Sequence, residues 1–267
     1  MLDMVRLYLG FARMTVRGEM MHRASFIAGR VGQFLSYGST FLATYIMISN
    51  FNVIGGWTAA KVLYMFGYNL LAYALAACVF YNPSRGLESK VRSGELDLSL
   101  TKPVHPMTHE LLMGFNPGYI NHVLLSLLTM ILTARDAGFA YTPLNVILWL
   151  VMLAGSVMIH GAMLLLSSAG SFIFIRHNPY SMVIGIGKEF VKYPITIYPK
   201  AIQVILTFVL PFAFISFYPV SLLLGDDGLT SFSQVVAYFT PVVGGIVFAL
   251  GIAVWNRCLK HYQSSGN

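Results

Sequence analysis

Six long apolar stretches dominate this chain of 267 residues and constrain its fold more than any other feature. Each is long enough for the roughly 20 residues that an α-helix needs to cross a bilayer. Only 10% of the residues are charged, too few to cover the surface of a soluble domain. The sequence therefore predicts a single all-α polytopic membrane domain over residues 1–267. The predicted spans lie near 26–49, 59–81, 111–133, 144–174, 201–224 and 234–256.

Residues 1–24 are predicted to form an amphipathic helix that lies in the membrane interface. Asp3, Arg6, Arg13 and Arg17 fall on one stripe of a helix, opposite a face of apolar residues. A cationic stripe of this kind suits a helix that rests on lipid headgroups. These charges also interrupt any apolar run, so the segment does not resemble a signal peptide.

The fifth apolar stretch contains Pro211 and reaches Pro219. Because proline lacks a backbone donor, this span is predicted to be broken, with an outer part that turns back into the membrane. Aromatic side chains in the same stretch are candidates to line an apolar substrate path, with core packing as the alternative. These candidates are Phe212, Phe214, Phe217 and Tyr218.

Fourteen of the 17 lysines and arginines flank the predicted spans on one side. Cytoplasmic loops carry the excess of Lys and Arg, so both termini are predicted to be cytoplasmic, in a multi-pass protein of the inner (plasma) membrane. The basic residues are spread over four segments, which disfavours nucleic acid as a partner. The predicted outer loops, 50–58, 134–143 and 225–233, are too short to hold a folded domain.

Sequence motifs give no support for an active site. Gly185-Ile186-Gly187-Lys188 resembles part of a phosphate-binding loop, but Met182 and Glu189 stand where glycine and a hydroxyl residue are needed. His109-Glu110 begins a metalloprotease pattern whose second histidine is replaced by Met113. We therefore expect no catalytic residue, no metal ligand set and no cofactor bound by this chain.

His160 lies in the middle of the fourth span, where a titratable group could relay protons. A neutral histidine bonded to a neighbouring helix is the favoured interpretation. Ion-driven carriers usually place carboxylates at mid-membrane, whereas every Asp and Glu here falls in a predicted loop or interface. Small residues in the spans, such as Gly155, Gly244 and Gly251, indicate close helix packing.

The segment 82–110 is the longest polar stretch and is predicted to be cytoplasmic. Asn82-Pro83-Ser84 is a helix start signal, which predicts a short helix over the residues that follow. Mixed charges and leucines in this segment are typical of a docking element, with Leu87 as the anchor candidate. The alternative is a loop that is merely solvated. The candidate coupling residues here are Arg85, Leu87, Glu88, Ser89, Arg92, Glu95 and Asp97.

Two motifs resemble the permease subunits of bacterial type 2 ABC exporters, in a group of six-span permeases. The first is Arg92-Ser93-Gly94-Glu95-Leu96-Asp97 followed by Leu100-Thr101-Lys102-Pro103, and the second is Leu210–Pro219. The resemblance implies a second permease, identical or related, and separate cytoplasmic ABC ATPase subunits that bind ATP and magnesium. It implies a coupling helix near Arg85–Ser89 and a smaller contact near Arg176–Tyr180.

The favoured function is the transmembrane subunit of an ATP-driven exporter for a hydrophobic or amphiphilic substrate, such as a drug, lipid or peptide. The coupling signature of ABC importers does not occur in the chain. The alternatives are an ion-coupled secondary transporter and a non-transporting membrane scaffold or biogenesis factor. The sequence does not choose the substrate, and it does not choose between a homodimer and a heterodimer.

Overall fold

The computed structural model describes residues 2–50, 53–173, 189–225 and 235–263, together with Met182, Gly185 and Gly187. Within these residues a single antiparallel pair of strands occurs, β1 (Val53–Ile54) and β2 (Trp57–Thr58). The α-helices are α1 (Leu2–Met20), α2 (Arg23–Ser49), α3 (Ala59–Ser93), α4 (Leu96–Leu100), α5 (Pro106–Met113), α6 (Ile120–Ala137), α7 (Pro143–Ala169), α8 (Lys200–Val204), α9 (Phe217–Leu223), α10 (Val235–Tyr238) and α11 (Thr240–Leu259).

Among the described residues, four helical segments are long and apolar enough to cross a membrane. They are α3, Pro117–Ala137, Pro143–Phe172 and α11. A fifth candidate is bent by 77° between Lys200–Val209 and Phe212–Leu223, so the break predicted at Pro211 is present. A π-helical turn, Ile205–Val209, precedes the break. The chain is thus an all-α polytopic membrane protein.

The first predicted span coincides with α2, which is 27 residues long but is not among the segments that are apolar enough to count as candidates. Arg30 and Gln33 lie within it, together with several serines, threonines and glycines. A topology of six spans therefore remains a prediction.

Helix α1 packs against α5 through one face. Ala12 is buried, and the Tyr8 ring meets Phe115 edge-on with centroids 6.1 Å apart. Burial is the main cause that raises the pKa of the Tyr8 hydroxyl. Arg6, Arg13 and Arg17 are exposed. The position of α1 in a membrane interface remains a prediction.

Helix α3 is central to the bundle, since it packs against both α6 and α7, and α11 packs along α7. At the crossing of α7 and α11, a Cβ added to Gly244 would lie only 2.4 Å from the carbonyl oxygen of Gly155. Gly251 similarly faces the backbone of Ala162. These approaches confirm the close packing that the small residues predicted.

The separate short helix expected after Asn82-Pro83-Ser84 is absent, because α3 runs through Pro83 without interruption to Ser93. The helix ends at Gly94, which adopts a left-handed φ of 74° that favours glycine. Of the remaining polar segment, Leu96–Leu100 and Pro106–Met113 are also helical.

Candidate functional site

The most elaborate polar structure of the chain lies where α3 continues beyond Tyr81. This end comprises residues 82–113, the turn Gly170–Phe172 and residues 255–262. We call it the basic end because six lysines and arginines lie in these ranges. Pro83 packs against Gly114 so closely that a Cβ on Gly114 would clash with the proline ring. Glycine at position 114 thus allows α3 and the end of α5 to meet.

An apolar cluster holds the basic end together. Leu87 is only 1% exposed and packs in this cluster with Leu96, Phe172 and Trp255. The rings of Phe172 and Trp255 meet edge-on with centroids 5.0 Å apart. Leu87, the anchor candidate, is thus covered by α5, α7 and α11 in this structure, and its role in docking stays a prediction.

A buried polar network lies beside this cluster. Glu110 is 4% exposed and accepts hydrogen bonds from Lys90 Nζ at 2.8 Å and from Ser99 Oγ at 2.9 Å. His109 Nδ1 lies 3.3 Å from the same serine oxygen. Because a buried carboxylate is costly unless it is paired, these contacts fix α3, α4 and α5 relative to one another. His109 and Glu110, singled out as a partial metalloprotease pattern, thus have a structural role.

The C-terminal segment is tied to the same end. The Tyr262 hydroxyl donates a hydrogen bond of 3.1 Å to Asp97 Oδ1 in α4. The Tyr262 ring also lies beside Phe172, at 6.2 Å between centroids. The ends of α3, α7 and α11 are consequently joined to α4 through side chains.

The tip of the basic end exposes large apolar side chains. Leu98 is 64% exposed and Leu100 is 45% exposed, and Val104 follows on the connection to α5. Charged residues flank them, since Glu95 and Lys102 are both exposed. Scattered surface leucines are common, but three exposed apolar side chains within seven residues at the tip form an apolar patch with a charged rim. We call Leu98, Leu100 and Val104 the tip patch.

The other predicted coupling residues divide into two groups. Arg85, Ser89 and Arg92 are exposed and share one face of α3 at spacings of four and three. Glu88 is half-buried and faces a cavity. Arg176 lies outside the described residues, as does most of the predicted second contact.

That cavity has a volume of about 280 Å³ and lies between α2, α3, α7 and the turn Pro117–Tyr119 that precedes α6. Four tyrosines line it, Tyr37, Tyr73, Tyr81 and Tyr119, together with Arg85, Glu88 and three serines. We call it the tyrosine cavity. Sequence reasoning missed it because its tyrosines lie on separate segments, and only their position in the fold brings them together.

The aromatic residues of the broken element do not line an open path in this structure. The four side chains predicted for the substrate path are at most 5% exposed. Phe217 stacks on Trp57 with centroids 5.3 Å apart, and the Tyr218 hydroxyl lies 3.0 Å from Thr207 Oγ1. These residues are thus packed in the core of this structure, and their place on a substrate path stays a prediction.

His160 is buried in α7, and its Nε2 lies 3.1 Å from Asn69 Oδ1 on α3. This contact agrees with a histidine bonded to a neighbouring helix, the interpretation that the sequence favoured. Over the described part of the chain, no group of three or more His, Cys, Asp or Glu side chains could hold a metal ion.

The fold and this site define a polytopic α-helical membrane protein with a structured polar end on its helices. The family model described as ABC-2 family transporter protein matches residues 34–266. This match covers most of the chain, so the chain belongs to the ABC-2 transporter family, as its motifs implied. It is a membrane-embedded permease subunit, a type that associates with ABC ATPases. Comparison with curated proteins and with solved structures gives no match.

Proposed function

We propose that this chain is the permease subunit of an ATP-driven exporter. It works as one of two paired permeases, with ABC ATPase subunits docked at the basic end on the cytoplasmic side. The substrate is hydrophobic or amphiphilic, and ATP and magnesium bind to the ATPases. The family membership supports the transporter assignment, and the lack of an importer coupling signature supports export.

The observation that carries the docking proposal is the tip patch. It presents exposed leucines with a charged rim, the composition of a protein-binding surface with an apolar centre. The tip is connected to the ends of α3, α7 and α11. Asp97 and Glu110 make hydrogen bonds between these segments, and the apolar cluster around Leu87 packs them together. A push on the tip would therefore reach several membrane helices together.

The test is co-purification of the ATPase with variants of the permease. Leu98→Asp is expected to reduce the co-purified ATPase about tenfold or more, as the loss of a hot spot of ~2 kcal/mol does. Ser89→Asp adds the same charge at an exposed position on α3 and serves as the matched control. ATPase retained by Leu98→Asp but lost from Ser89→Asp would place the contact at Arg85–Ser89, where the sequence predicted it. Retention by both variants would contradict docking at either surface.

A further inference from the structure

The tyrosine cavity has walls suited to a positively charged group. Tyr73 and Tyr81 both meet Tyr119 edge-on, with centroids 5.7 Å and 5.0 Å apart. The three rings thus meet edge to face at the wall of the cavity. Tyrosine faces attract organic cations, and boxes of such rings are a recurrent means of binding quaternary ammonium groups.

Two opposite charges stand at this cavity. Arg85 and Glu88 lie three residues apart on α3, a spacing at which ion pairs commonly form. No ion pair joins them, and among the described residues neither makes one with any other side chain. The Arg85 guanidinium lies 5.8 Å from the centroid of the Tyr81 ring instead. A purely cationic ligand would be repelled by Arg85 and a purely anionic one by Glu88, whereas a zwitterion satisfies both.

A second layer supports the walls. His122 is 1% exposed and packs against Tyr37 and Tyr119, with ring centroids 3.8 Å and 4.9 Å away. Neither of its ring nitrogens has a hydrogen-bond partner among the described residues. The His122 ring fills the space behind Tyr37 and Tyr119.

The size and surroundings of the cavity are compatible with a lipid headgroup. Its volume of about 280 Å³ falls just below the range of roughly 300–1,000 Å³ that is usual for pockets of drug-sized ligands. On the α2 side, Tyr37 is 40% exposed, and the neighbouring Phe34 and Leu35 are 45% and 65% exposed. Acyl chains can lie on this apolar surface while the headgroup occupies the cavity.

We propose that the tyrosine cavity binds the zwitterionic headgroup of a phospholipid-like amphiphile. The ammonium group lies among the tyrosines beside Glu88, and the phosphate pairs with Arg85. This inference rests on the proposed function, for which it names the substrate class.

The test measures lipid binding by the purified full-length chain in detergent, without ATPase, using native mass spectrometry. The probes are phosphatidylcholine and phosphatidylglycerol with identical acyl chains, and soluble glycerophosphocholine as a competitor. Wild-type protein should bind phosphatidylcholine about tenfold more tightly than phosphatidylglycerol, and Glu88→Gln should remove this preference. Arg85→Gln should weaken phosphatidylcholine binding by a similar factor, because the phosphate loses its partner.

The matched controls are Glu95→Gln and Lys102→Gln, which remove exposed charges outside the cavity and should leave binding unchanged. Size-exclusion profiles identical to wild type establish that the variants fold. Equal binding of both lipids, or an unaltered preference in Glu88→Gln, overturns the proposal. Glycerophosphocholine should compete but bind more weakly than phosphatidylcholine, because it lacks acyl chains; binding as tight as that of the lipid would show a soluble zwitterion rather than a lipid. Co-purification of the ATPase with wild type is measured separately, so failure of this proposal is distinguishable from failure of the proposed function.

Discussion

At the scale of single residues, Glu110 is the carboxylate on which the order of the basic end depends. Among the acidic side chains whose burial the structure describes, Glu110 alone is buried, and it joins α3 to α4 through Lys90 and Ser99. Removing it would leave the serine and the partly exposed ammonium group without their acceptor.

Glu110→Ala is therefore expected to destabilise the protein by about 2 kcal/mol, because it leaves partly buried donors unsatisfied. The measurement is the melting temperature in detergent, which should fall by several degrees. Glu189→Ala is the matched control, since its ion pair with Lys192 is exposed and contributes at most about 0.5 kcal/mol. Equal melting temperatures for the two variants would show that burial of Glu110 adds no stability.

At the scale of elements, the crossing of α7 and α11 depends on glycine. Gly155 and Gly244 allow the two backbones to approach so closely that no side chain fits between them. Lipid tails are as apolar as the helices, so packing rather than the hydrophobic effect holds such a pair together.

Gly244→Val is expected to push the two helices apart and to cost about 1–3 kcal/mol, as overpacking of a tight interior does. Gly245→Val is the control because a Cβ at position 245 meets nothing within 4 Å. Thermal unfolding and protease resistance should separate the two variants. A Gly244→Val protein as stable as the control would mean that the crossing tolerates separation.

At the scale of the whole molecule, the topology depends on whether α2 crosses the membrane. An impermeant thiol reagent can decide this on intact cells, with single cysteines in a background without Cys78 and Cys258. Tyr141→Cys should react from outside and Ser93→Cys only after permeabilisation, since the basic residues place the latter in the cytoplasm. If α2 crosses, Asn50→Cys reacts like Tyr141→Cys, and Met21→Cys reacts like Ser93→Cys. Reaction of positions 21 and 50 from the same side would exclude a crossing by α2.

Much of this architecture follows from local sequence, and the rest depends on contacts that local sequence does not contain. The spans in α6, α7 and α11 and the break at Pro211 follow from hydropathy and from the chemistry of proline. The burial of Leu87 does not, because it depends on Phe172 and Trp255, which are distant in the chain. No helix starts at Asn82-Pro83-Ser84, because α3 continues through these residues. Pro83 lies inside α3 and packs against Gly114, a tertiary contact that local sequence does not contain.

The length of α3 has a mechanical consequence. Its 35 residues extend roughly 52 Å at 1.5 Å per residue, whereas the hydrocarbon core of a bilayer is about 30 Å thick. We therefore expect roughly 20 Å of the helix to project beyond the bilayer and to act as the short arm of a lever, with the contact between Pro83 and Gly114 close to its pivot. A rotation of about 10° at the short arm would displace the far end of the long arm by roughly 5 Å. A small movement of a docked partner at the short arm would in this way displace the opposite end of α3 by several ångströms.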